Sequence, residues 1–123
     1  MKNRLSVILF AFVMFTLTIS GCTSNTTKFP TGEFIDEEGH INNFMSDGRF
    51  TLRFTDGRVL IKNGQYSVDG DIVTIIETEI CPPVDGVYKW AYQDGKLLFE
   101  LIEDDCTDRP LTISRNGALT PYP

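Results

Sequence analysis

The sequence predicts an all-β fold: an antiparallel up-and-down meander of seven or eight strands closed into a small barrel. Three observations carry this. Asp-Gly or Asn-Gly recurs at 47–48, 56–57, 63–64, 69–70, 85–86, 94–95 and 116–117, and such dipeptides supply the positive φ angles that tight hairpin turns demand. Between them lie short runs rich in Val, Ile, Phe, Tyr and Thr, side chains that fit a pleated, half-buried surface. No run among them shows a 3.6-residue period of useful length, so strands joined by turns are expected.

The elements follow in order. Lys2 and Arg4 precede Leu5–Ile19, a run without a charge that is interrupted only by Ser6, Thr16 and Thr18. A spanning helix needs roughly 20 apolar residues, so this run is short for a permanent anchor and suits a signal-peptide core. Ile19-Ser20-Gly21-Cys22 closes it and resembles the lipobox of bacterial lipoproteins. That resemblance implies a signal peptide at 1–21, cleavage before Cys22, and a Cys22 thiol carrying palmitate-type acyl chains. The protein would then sit in the cell envelope, lipid-anchored to a membrane on its extracytoplasmic side. Polar Ser24–Lys28 has no periodicity, so 22–30 reads as a flexible tether and 31–123 as the barrel domain.

Within that domain, Gly32–Ile35 and Ile41–Met45 supply the opening strands. In Arg49–Thr55 the even positions are apolar and the odd ones polar, the alternation of a half-buried strand. Val59 and Ile61 would share one face of the next strand, whereas Tyr66 and Val68 have the opposite parity. One extra residue at Asn63-Gly64 repairs the mismatch, so this dipeptide is expected to be a β-bulge in a long bent strand. Ile72–Ile80 follows, with Glu77 and Glu79 on one face and Ile72, Thr74, Ile76, Thr78 and Ile80 on the other. Val87–Tyr92 aligns Tyr88, Trp90 and Tyr92; Leu97–Glu103 aligns Leu97, Phe99 and Leu101. Leu111 and Ile113 begin the last strand.

Charge and cysteine content limit the function. The formal charge of −6 becomes −8 once Lys2 and Arg4 are removed. Nucleic acid and anionic headgroups recruit clusters of Lys and Arg, so an acidic chain argues against nucleic acid as a partner and against adhesion to anionic lipid headgroups. With Cys22 taken by lipid, Cys81 and Cys106 remain as an even pair in an oxidising compartment, and a disulfide is expected. The meander supports it, since strands 72–80 and 97–103 run parallel and deliver both cysteines to one rim. His40 is the single histidine and lies far away in sequence, which leaves those cysteines without the further ligands of a zinc site.

Gly64-Gln65-Tyr66-Ser67-Val68-Asp69-Gly70-Asp71, Gly86-Val87-Tyr88-Lys89-Trp90, and Leu97-Leu98-Phe99-Glu100-Leu101 running into Asp104-Asp105-Cys106 together resemble small bacterial lipocalin-like domains. The resemblance covers about 64–109. It implies a calycin-type barrel with no established reaction.

Two candidate sites remain. Glu103, Asp104 and Asp105 with Asp108 could offer oxygen ligands to Ca²⁺, but no Asp-x-Asp-x-Asp-Gly loop is present, and an acidic solvated rim with Arg109 as counter-charge is the expectation. Phe50, Phe54, Tyr66, Tyr88, Trp90 and Phe99 either line a pocket for a small apolar ligand or fill the barrel. No G-x-S-x-G, H-E-x-x-H or phosphate-cradling loop occurs. A non-enzymatic protein without metal or cofactor is expected, either a binding module for a small hydrophobic compound or a filled-core lipoprotein that contacts another envelope component.

Overall fold

Hairpin punctuation sets the architecture. The computed structural model describes residues 28–81, 84–109 and 118–123. It contains eight strands: β1 (Gly32–Ile35), β2 (His40–Phe44), β3 (Arg49–Phe54), β4 (Val59–Asp69), β5 (Ile72–Ile76), β6 (Gly86–Gln93), β7 (Lys96–Glu103) and β8 (Ala118–Pro121). Each pairs antiparallel with the next, and β8 returns to β1, so the meander closes into a barrel. This architecture is compatible with a lipocalin-like fold. Four of the expected dipeptides do form hairpin turns. Asp94 and Gly95 both take positive φ, 53° and 72°, the requirement of a type I′ turn.

One end of the barrel, the mouth, carries the turns after β2, β4 and β6. The other end, the floor, carries 36–39, 55–58, 77–81, 84–85 and 104–109. Phe34, Phe44, Phe50, Leu52, Ile61, Val73, Ile75, Tyr88, Leu97 and Leu119 are buried inside.

The bulge at 63–64 is present. Phe50 faces Gly64 while Leu52 faces Ile61, which leaves β4 one residue longer than β3 across this interval. Gly64 is required by proximity. A Cβ there would stand 2.8 Å from Phe50 O and 2.9 Å from Ile61 Cγ2. The bulge also releases backbone donors, and the Glu79 carboxylate collects them, accepting from Lys62 N at 2.8 Å and Asn63 N at 3.2 Å.

Three expectations are corrected. A second irregularity, where Leu52 faces Ile61 but Arg53 faces Val59, turns Val59 outward at 57% exposure while Ile61 is fully buried; they do not share a face. The strand expected at 72–80 ends at Ile76 with its faces exchanged. Tyr66 and Val68 face Ile75 and Val73, so Val73, Ile75 and then Glu77 point inward, while Ile76 is exposed. Asp85-Gly86 makes no hairpin turn, because Gly86 is the first residue of β6. Among the described residues, β8 at 118–121 closes the barrel, with Leu97 facing Leu119. The Leu111–Ile113 segment expected in that role lies outside the described residues. At the seam, Tyr122 N donates to Glu33 O at 2.9 Å.

Candidate functional site

Mouth and floor are built from different chemistry. At the mouth, inward parity on β4 and β6 brings Tyr66 and Trp90 to the rim. Each ring is fixed by its polar atom: Tyr66 OH donates to Met45 O at 2.6 Å and Trp90 Nε1 donates to Gly70 O at 2.9 Å. These bonds tie each aromatic wall to a rim turn, since a buried hydroxyl or indole N–H needs a partner. Burial, with a smaller contribution from the Asp47 charge, raises the Tyr66 phenol above its ordinary value.

Phe29 completes the mouth. Sequence placed it in the 22–30 tether, but it is 7% exposed, with ring centroids 5.0 Å from Trp90, 5.2 Å from Phe44 and 5.5 Å from Tyr66. The Trp90 and Phe44 contacts are edge-on, the favoured arrangement for such rings. Nothing in the SNTTKFP stretch separates a buried Phe from a tether residue, because a lone aromatic carries no periodicity. Outside this plug lies an open cleft of about 480 Å³, walled by Phe29, Tyr66, Val68 and Trp90, with Lys28 and Ser46 at its edge.

The six expected pocket residues therefore separate. Tyr66 and Trp90 line the cleft. Phe50 and Tyr88 are buried core, and Phe99 packs against that core half-buried. Phe54 sits at the floor, 4.8 Å from the His40 ring and beneath the Arg58 guanidinium at 4.4 Å.

The floor is closed by buried charge. Arg109 is fully buried. Its Nε and Nη2 donate to Glu77 Oε1 at 3.1 and 3.0 Å, and its Nη1 donates to Asp104 Oδ1 at 3.1 Å. Glu77 Oε2 accepts from Glu79 N and Ile80 N, both at 2.8 Å. Asp104 Oδ2 accepts from Tyr88 OH. Burial, and next the bond to Asp104, pushes the Tyr88 phenol well above its ordinary value. A Cβ on Gly86 would stand 2.5 Å from Asp104 Oδ2 and 2.9 Å from Arg109 Nη1, so glycine there leaves room for the ion cluster.

Cys81 and Cys106 lie beside this cluster at disulfide distance, their Cα atoms 5.9 Å apart. Their sulfurs and a Glu77 oxygen are mutually within 4.8 Å, but a disulfide offers no thiolate to a metal. The proposed Ca²⁺ ligands do not converge. Asp104 turns inward to Arg109, while Glu103, Asp105 and Asp108 stay exposed. Arg109 is thus a buried partner and not a rim counter-charge. Glu77 was missed because its parity was read from the wrong face of its strand.

Two further polar groups are buried near this end. His40 Nδ1 lies 2.8 Å from Asp36 Oδ2. Asn42, fully buried, donates from Nδ2 to His40 O at 3.3 Å, and its Oδ1 has no partner. Neither presents a nucleophile beside a base. Cys22 lies outside the described residues.

Comparison with protein-family models, with curated proteins and with solved structures gave no match to this chain.

Proposed function

We propose that this chain is an envelope-tethered lipoprotein, acylated at Cys22, whose barrel binds a small hydrophobic ligand at its mouth. The cleft beside Trp90 carries the reading. Its volume of about 480 Å³ lies within the roughly 300–1,000 Å³ typical of small-molecule sites. Its walls are aromatic and held by hydrogen bonds before any ligand arrives, which lowers the ordering cost of binding. No enzymatic step is part of the proposal. Native mass spectrometry of protein from its own host tests both halves. The expected result is an acylated residue 22 and a retained small molecule that quenches or shifts Trp90 fluorescence when added back. Protein that carries nothing, and whose Trp90 ignores a panel of apolar compounds, removes the ligand half.

One observation favours a second reading, a filled barrel that contacts another envelope protein. Adjacent Leu101 and Ile102 on β7 are 52% and 53% exposed, and the interior below Phe29 is occupied by packed rings. Loss of a co-purifying envelope partner on Leu101→Ser/Ile102→Ser substitution, with Trp90 unresponsive to ligands, would favour that reading.

A further inference from the structure

We infer that the mouth of the barrel faces the bilayer that anchors the chain, and that its cleft takes an acyl chain of a lipid from that bilayer. The inference rests on the acylation of Cys22 proposed above and adds orientation and ligand class to it.

Three observations converge. The first is where the anchor enters. Lys28 and Phe29 both line the cleft, and Phe29 is pinned among Phe44, Tyr66 and Trp90. The chain therefore leaves the barrel at the mouth and cannot swing to the floor without withdrawing a buried ring. From Cys22 to Lys28 the chain advances six residues, at most roughly 20 Å at about 3.5 Å per residue. An anchor of that reach holds the mouth close to the headgroups.

The second is the distribution of charge. Eleven of the seventeen acidic residues sit at the floor: three at 36–38, three at 77–85, four at 103–108, and Asp56. Among the described residues the bases at that end are Arg53, Arg58, Lys62 and Arg109, with His40 beside Asp36. The mouth has five acids, Asp47, Asp69, Asp71, Asp94 and Glu100, against Lys28, Arg49, Lys89 and Lys96. An anionic membrane surface repels the first pole and tolerates the second, which orients the molecule within a Debye length of the surface.

The third is the surface presented. Val68, in the wall of the open cleft, is 38% exposed, and Lys28 belongs to the same lining. That arrangement fits an amphiphile, its chain against Tyr66, Val68 and Trp90 and its phosphate against Lys28.

Trp90 is the single tryptophan of the chain and lines the cleft, so the protein carries its own reporter. The acylated full-length protein would be reconstituted into phosphatidylglycerol/phosphatidylethanolamine vesicles whose acyl chains are brominated. At least half of the Trp90 emission is expected to be quenched relative to unbrominated vesicles, with Lys28→Glu lowering that quenching at least twofold. An indole moved to the floor, Asp56→Trp in a Trp90→Phe background, should stay unquenched. Protein that floats with the vesicles but keeps full Trp90 emission overturns the inference and leaves acylation standing. Equal quenching at both poles overturns the orientation. Protein that neither floats nor carries acyl mass overturns the lipoprotein reading and the inference with it.

Discussion

At the scale of single residues, the buried charges at the floor are the most consequential groups. Removing water from an ion costs several kcal/mol, and only a complete set of partners offsets it. Arg109 supplies that set to Glu77 and Asp104 at once. Arg109→Ala should therefore cost about 3–5 kcal/mol of stability, read as the shift in urea midpoint at constant slope. An unchanged midpoint would mean that the two carboxylates find other donors. Tyr88 gives a pH signature. Its folded-state pKa is raised above the ordinary tyrosine value of 10.0, so as pH rises past 10 the unfolded chain loses the phenolic proton first. Stability contributed by Tyr88 is fully present below pH 10 and declines above it, by up to about 1.4 kcal/mol per pH unit. Urea unfolding between pH 8 and 11 should show Tyr88→Phe losing its disadvantage to the parent as pH climbs; parallel curves would contradict this. Asp47 and Asp56 act more locally. The backbone N–H of Arg49 or Arg58, and next that residue's guanidinium, hold each carboxyl below the usual range, giving two Asp-Gly-Arg turns the same clasp.

At the scale of elements, β4 bends where its ladder breaks. An open sheet becomes a barrel only if some strands curve, and an extra residue supplies local bend and twist. Gly64 makes that bend affordable in space, since its absent side chain is what lets Phe50 and Ile61 approach. Gly64→Ala should lose about 1–3 kcal/mol through overpacking, although no positive φ is involved. A midpoint equal to the parent's would show that the strands can part there. The same bend explains why Glu79 stands where it does, capping donors that a regular ladder would have used.

At the scale of the whole molecule, the two ends are closed in different ways. The floor combines the ion cluster with the Cys81–Cys106 link, which spans 25 residues. Reduction of a link of this span should remove about 3 kcal/mol by releasing the unfolded chain from its closed loop. Midpoints measured with and without reductant check it; coincident curves would leave the cluster as the sole closure. The mouth is closed by Phe29, the core ring that comes from outside the strands. Phe29→Ala should cost about 3–5 kcal/mol and enlarge the cleft inward. If the cleft binds apolar compounds, this variant gains affinity for ring-sized ones, measured by calorimetry and by recovery of its melting temperature on ligand addition. No recovery with any aromatic compound would show that the rings collapse into the vacated space.

Sequence alone determined the class of fold, the order of its strands and the curling device in β4, because turn chemistry and period-2 alternation are local properties. It also paired Cys81 with Cys106, since a meander sends alternate strands to the same rim. Facing was less legible. Ile72–Ile80 offers apolar residues at both parities, and only pairing with Tyr66 and Val68 on β4 decides that Val73, Ile75 and Glu77 point in. The site depended on tertiary structure for the same reason. Phe29 and Lys28 join the cleft, Phe54 leaves it, and Glu77 meets Arg109 across 32 residues, because distant segments are brought together by closure of the barrel, a long-range condition that no local pattern encodes.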